Sequence, residues 1–198
     1  MSDVDRTIDG PWDYGHFRIE CRREALPELI DSFWPVYEES FGPLRILAAA
    51  RQVLTKEEFS AELEDPNVWK YVALDADGQL AGLTTLANDI STIPWISPEY
   101  YQHHYPDEWA RDAIFYSGIS LVRPDMRHHP VFSHMLTCVA FRVLAADGVL
   151  ASDMCGFNVH RRSLARASEQ ILKRVADFDV QAVDVQTYYV AKAARSGS

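Results

Sequence analysis

A chain of 198 residues that is 47% apolar and 24% charged is long enough and apolar enough for one domain with a full core, which excludes disorder over most of its length. A formal net charge of −10 excludes a nucleic-acid binder, because neutralising phosphates takes clustered Lys and Arg rather than a surplus of carboxylates. No apolar run approaches a membrane span, the first residues lack the regions of a signal peptide, and the three cysteines show no paired spacing, so the expectation is a cytoplasmic protein with reduced thiols and no metal.

In chain order, residues 1–16 read as a polar, flexible tail, and 17–21 alternate apolar and charged residues as a half-buried strand does. Ile30, Phe33, Trp34 and Tyr37 then recur at helical spacing, with Pro27 in the first turn and Pro35 placed to kink or end the helix. Gly42-Pro43 starts a second helix, and Thr55 with Glu58 forms a capping box that opens a third through Phe59, Leu63 and Glu64. Residues 69–74 and 79–86 flank Asp75-Ala76-Asp77-Gly78, which predicts a β-hairpin. The stretch 90–112 is rich in Pro, Tyr, Trp and His, has one helical turn at 98–102, and is too long and too aromatic for a plain connector, so it is expected to shape a pocket.

Residues 113–122 read as a buried strand, 130–146 as a helix, 149–155 as a strand, 158–173 as a helix and 180–190 as a final strand or pair of strands. Arg161, Arg162, Arg166, Lys173 and Arg174 make one helix face basic within an acidic protein, which suits a small anionic ligand. The expectation is one α/β domain over 17–190, with a mixed, mostly antiparallel sheet flanked by helices, and a second flexible tail at 191–198.

This order of elements resembles that of the GCN5-related N-acetyltransferase superfamily. In that family the fourth strand ends in V-x-P-x-x-R/Q-x-x-G-x-G/A and leads into a helix. Leu121, Val122, Arg123, Pro124, Asp125, Met126, Arg127, His128, His129, Pro130, Val131 and Phe132 align with it without a gap. Val122, Pro124 and Arg127 match, whereas Pro130 and Phe132 stand at the glycine positions. The resemblance implies acetyl-CoA or another acyl-CoA as cofactor. It puts Leu121, Val122 and Arg123 beside the acyl-bearing arm, and Arg127, His128, His129 and the helix start at Pro130, Val131 and Phe132 beside the diphosphate. Pro130 removes a backbone donor and the Phe132 ring is expected to obstruct the phosphates, while Arg127 and the two histidines offer side-chain charge in exchange. On the next helix of that family an N-x-x-S-x-R-x-A-E pattern sets an Asn near the pantetheine arm. Here His160 holds the Asn position, Asn158 lies nearby, and Ser163 and Ala167 match.

Acetyl transfer by direct attack needs a deprotonated amine, an acid for the thiolate and a polarised carbonyl. The candidates are Tyr116, Ser117 and Ser120 on the fourth strand, Asp153 and Cys155 on the fifth, and His103 and His104 on the aromatic loop. A Tyr or Ser on a strand has a packing reading beside its catalytic one. Cys155 is a nucleophile if His160 lowers its pKa and otherwise an ordinary buried thiol. The aromatic run from Trp95 to Trp109 packs under a loop, lines an acceptor pocket or meets a second copy. The resemblance implies an acyl-CoA-dependent N-acyltransferase acting on a small-molecule amine. The alternatives are a binding or regulatory domain without transfer, and an acyltransferase whose donor is an acyl carrier protein. A homodimer stays open.

Overall fold

The computed structural model describes residues 8–24 and 27–193. Six strands form one sheet in the order β1 (Trp12–Asp13), β2 (Phe17–Arg22), β3 (Val68–Asp75), β4 (Leu80–Ala87), β5 (Ile114–Val122) and β6 (Val149–Ala151), so each strand pairs with its neighbour in sequence. All pairs are antiparallel except β5 with β6. Parallel neighbours need a crossover of a dozen or more residues, and α6 (Val131–Ala145) supplies it. The expected mixed, mostly antiparallel sheet flanked by helices is the fold that forms.

The period-2 alternation of the strands sends side chains into two cores. On one face Phe17, Ile19, Tyr71, Leu86 and Phe115 pack with Val131, Met135, Val139 and Val143 of α6. On the other, Val72, Leu83, Ile119 and Leu121 pack with Ile30, Phe33 and Tyr37 of α1 (Pro27–Phe41) and with Phe59 and Leu63 of α3 (Lys56–Glu64). Between these two helices lies the short α2 (Leu44–Leu47). Both bonds of the expected capping box form: the Glu58 N–H donates to Thr55 Oγ1 and the Thr55 N–H to Glu58 Oε2. The hairpin also forms, its loop held by Asp75, whose carboxylate accepts from the N–H groups of Asp77 and Gln79. Lys70 of β3 is fully buried on the α3 side, and its ammonium donates to the carbonyls of Arg23 and of Asp65, the C-cap of α3. A cation there complements the negative end of the helix, while burial pulls the Lys70 pKa down.

The structure differs from the sequence expectations at five places. Residues 8–16 are not all tail: β1 pairs with β2, and Trp12 is buried against Tyr71. Helix α1 runs through Pro35 to Phe41, because Ile30, Phe33 and Tyr37 are buried on either side of the proline and outweigh its missing bond. The strand expected at 149–155 stops at Ala151. The helix expected at 158–173 is two helices, α7 (Gly156–His160) and α8 (Leu164–Val175), broken where Ser163 takes a positive φ of 53°. The last strand, at 180–190, does not form: residues 177–193 follow α8 without regular structure. The outer parts of the two expected tails, 1–7 and 194–198, lie outside the described residues.

Candidate active site

The parallel pair sets the geometry. Its register matches Ile114 with Val149, Phe115 with Leu150 and Tyr116 with Ala151, and there the ladder ends, although β5 continues to Val122. The two strands therefore part beyond Tyr116. Which groups face the opening follows from the β4 side, where the Arg123 N–H donates to the Ala81 carbonyl (2.9 Å). Bonded and non-bonded positions alternate in an antiparallel ladder, so Leu121 also directs its backbone to β4, while Ser120 and Val122 direct theirs into the opening. The backbone N–H groups of Arg123 and Leu121 are thus turned toward β4 rather than into the opening. The Arg123 guanidinium is engaged as well, with Asp75 (2.8 Å), Asp125 (2.7 Å) and the Leu80 carbonyl (2.6 Å). It fastens the hairpin loop to the segment before α6.

At that end of the opening stands the start of α6. A 3₁₀ turn, Pro124–Met126, leads to the N-cap Pro130, which has no side-chain oxygen to satisfy the first helical amides. Arg127 and His128 are exposed beside it, and the His129 ring packs against those of His128 and His16. The Phe132 ring, expected to stand before the phosphates, turns toward α8. It packs with Leu136 and with Ile171 and Leu172 of α8, because the apolar stripe of α8 needs cover on that side. A long helix whose first amides lack a side-chain cap favours an anion at its start, and Arg127 and His128 flank that start. On α7, Asn158 Oδ1 is buried and has no hydrogen-bond partner among the described residues. An orphaned acceptor, outward-facing strand groups and an uncapped helix start all fit a ligand with an amide-bearing arm and a phosphate end.

The opposite face of β5 carries the groups with chemistry. Between Ser117 and Ser120 the register with β4 slips, so Gly118 and Ile119 together face Thr85. The Ile119 N–H donates to Thr85 Oγ1 (2.8 Å) instead of a ladder carbonyl, and the Thr85 hydroxyl donates to Glu62 of α3. A Cβ at Gly118 would lie 2.9 Å from both Glu62 Oε1 and Thr85 Oγ1, so any larger residue there would displace that pair. The Glu62 side chain is partly buried, and burial raises its pKa above the ordinary carboxylate value against the lowering effect of the Thr85 bond. Glu62 escaped the sequence reading, yet one signal marked it: it stands between Phe59 and Leu63 on the apolar stripe of α3, where a charge is out of place.

Further down β5, Tyr116 points to this same face, opposite Phe115. Its hydroxyl donates to Asp153 and accepts from the Trp95 indole N–H (2.8 Å), which also lies 3.3 Å from Asp153 Oδ1. Burial, then the adjacent carboxylate, pushes the Tyr116 pKa up, so the phenol keeps its proton. Trp95 and Tyr101 bring the aromatic loop to this cluster, Tyr101 feeling the Asp153 charge. His103 and His104, at the end of α4 (Pro98–His104), are exposed and pack on each other and on Tyr100 rather than on Tyr116 or Asp153. The loop then continues through α5 (Pro106–Ala110) into β5. Cys155 and Phe157 both pack against the α1–α3 core, and the His160 side chain is exposed at the end of α7. Ser120 meets Thr84 (3.2 Å) on the α6 face, and His160 and Ser163 are exposed at the α7–α8 break.

No family model matches the chain, and no curated protein matches its sequence. Solved structures do match it. A predicted acetyltransferase of Clostridium acetobutylicum, solved with acetyl-CoA, superposes with a TM-score of 0.52 at 10% identity, over 87% of this chain and 96% of that one. An aminoglycoside acetyltransferase from an uncultured soil metagenomic sample, solved with trehalose, superposes with a TM-score of 0.50 at 13% identity, over 90% and 99%. Identities this low speak for the backbone alone. The chain thus shares its backbone arrangement with solved acetyltransferases and has the fold of the GCN5-related N-acetyltransferases.

Proposed function

We propose that this protein transfers an acyl group from acetyl-CoA or another acyl-CoA to an amine of a small molecule. The observation that carries the reading is the open edge of β5 beyond the Tyr116–Ala151 pair, with the uncapped start of α6 at its end. Acyl-CoA supplies an acyl group activated as a thioester. Backbone groups of Ser120 and Val122 and the orphaned Asn158 Oδ1 pair with the amides of its arm. The amides at Val131 and Phe132, with Arg127 and His128, hold its diphosphate.

On the other face of β5, Glu62 takes the proton of the acceptor ammonium, a role its raised pKa suits. Thr85 holds that carboxyl beside the bulge, and Gly118 leaves it room. Asp153, kept in place by Tyr116 and Trp95, gives the acceptor a negative anchor, and the net charge of −10 attracts cationic amines at long range. Three free cysteines suit a reducing compartment, and we place the reaction in the cytoplasm. No helix of the described residues is long and apolar enough to cross a membrane.

The test is a CoA-release assay with acetyl-CoA and a panel of amines, aminoglycosides and polyamines included, beside calorimetric titration of CoA. Binding with amine-dependent release is the expected result. Binding without release points to a regulatory domain, and release only from acylated carrier protein moves the donor to that partner.

A further inference from the structure

We propose that His16, His128 and His129 form a proton-dependent clamp on the donor's diphosphate, so that acyl-CoA takes up protons as it binds, an inference that rests on the start of α6 being the diphosphate site. Two stretches far apart in sequence meet there. His128 and His129 follow the 3₁₀ turn, where the His129 N–H donates to the Met126 carbonyl (3.0 Å). His16 comes from the turn between β1 and β2, closed by the Tyr14 N–H on the Phe17 carbonyl (2.9 Å) and by Asp13, whose carboxylate accepts from the Gly15 N–H (2.7 Å). That turn is seated on α6, since Tyr14 and Phe17 pack against the His134 ring at centroid distances of 3.9 and 5.6 Å. The result is a row of imidazoles, with His16 and His129 5.4 Å apart and His129 and His128 4.2 Å apart between ring centroids.

The row has no counter-charge. Among the described residues the nearby carboxylates are engaged elsewhere: Asp13 with the Gly15 N–H, Asp75 of the hairpin and Asp125 of the 3₁₀ turn both with Arg123, and Glu38 of α1 with Arg45. The Arg127 guanidinium meets the Ser40 hydroxyl (3.5 Å) rather than an acid. On α6 itself, His134 Nδ1 faces the Pro130 carbonyl (2.8 Å), which can only accept, so that nitrogen carries a proton. Charging one ring of the row is opposed by the next ring, by Arg127 and by the positive end of α6. A diphosphate reverses that field. With its negative charges beside the row the imidazolium form is favoured, and each charged N–H donates to a phosphate oxygen in place of the amide lost at Pro130. Affinity is therefore highest where the histidines are charged and is lost as pH rises through the imidazole range. Glu62 and the acceptor amine need the opposite, so KM for acyl-CoA is expected to rise on the alkaline side while kcat falls on the acidic side.

Calorimetric titration of the full chain with dephospho-CoA tests the clamp, because its diphosphate keeps a constant charge where the terminal phosphate of CoA would itself titrate. Binding is expected to be about tenfold weaker at about pH 8 than at about pH 6, and at about pH 7 the heats in buffers of high and low ionisation enthalpy should differ by roughly one proton taken up per ligand. The variant with His16→Gln, His128→Gln and His129→Gln together is expected to bind weakly, with the same Kd at both pH values and no buffer dependence. His16→Gln alone, exposed on its turn and outside the α6 segment, is expected to lower the pH ratio with an unchanged circular dichroism spectrum, and it decides the matter if the combined variant does not fold. Equal wild-type affinity at both pH values overturns the clamp and leaves the acyl-CoA reading standing, as does a pH dependence that survives unchanged in the variants. Absence of binding at either pH overturns both.

Discussion

Glu62 is the residue on which the proposed chemistry turns, and it is held by neighbours that leave it partly desolvated rather than paired with a cation. Glu62→Gln keeps the shape and the bond from Thr85 but removes the base. In steady-state assays with the amine found to be acylated, kcat is expected to fall by about 10²–10⁴-fold with little change in KM for acyl-CoA, and the acidic limb of the pH profile should vanish. The same group ties stability to pH with a definite sign. Its folded pKa is raised, so the folded chain keeps a proton that the unfolded chain has lost. Stability from this group is therefore full at low pH and declines as pH rises from about 4.3, the ordinary Glu value, through the folded value. In urea titrations Glu62→Gln should gain on the wild type over that window; a constant difference across pH contradicts the assignment.

At the scale of elements, α6 and α8 are coupled by Phe132. The sequence pattern sets this ring at a glycine position of the phosphate loop and predicts obstruction, whereas the structure turns it onto Ile171 and Leu172. Phe132→Gly then has a sign opposite to that of a relieved clash. It removes apolar contact and adds a poor helix former in the first turn, a loss on the order of 2 kcal/mol from the two effects together. Its affinity for CoA should stay level or weaken. Calorimetry beside denaturant unfolding separates the outcomes, and tighter binding by the variant restores the steric reading. The break between α7 and α8 belongs to this scale too: the basic run reads as one helix, but the positive φ at Ser163 ends it and sets Asn158 on a separate short helix.

For the whole molecule, the proposed donor site draws on β5, α6 and α7 at once, so its occupation is expected to stabilise the fold as a unit. With acyl-CoA at about 100 times its Kd, mass action contributes about 2.7 kcal/mol. At 2–4 °C per kcal/mol for a domain of this size, the Tm should rise by roughly 5–10 °C. Added salt should shrink the rise, because part of the contact is phosphate with Arg127 and helix amides. An unchanged Tm at saturating acyl-CoA argues against the donor site.

The sequence by itself determined the elements whose cause is local. The capping box at Thr55 and Glu58, the Asp75–Gly78 hairpin, the strand leading to Val122 and the helix after Pro130 all form within a residue or two of where the pattern places them, because side-chain periodicity and turn chemistry act over a few residues. Val122, Pro124 and Arg127 likewise gave the segment next to the opening. Only the tertiary structure decided what depends on distant partners. It carried α1 through Pro35, since burial of Phe33 and Tyr37 outweighs one missing bond. It left 180–190 outside the sheet, since strand propensity needs a neighbour to pair with. It also brought Glu62 from α3 to the bulge of β5 through Thr85 of β4, a meeting of three elements that no spacing along the chain encodes.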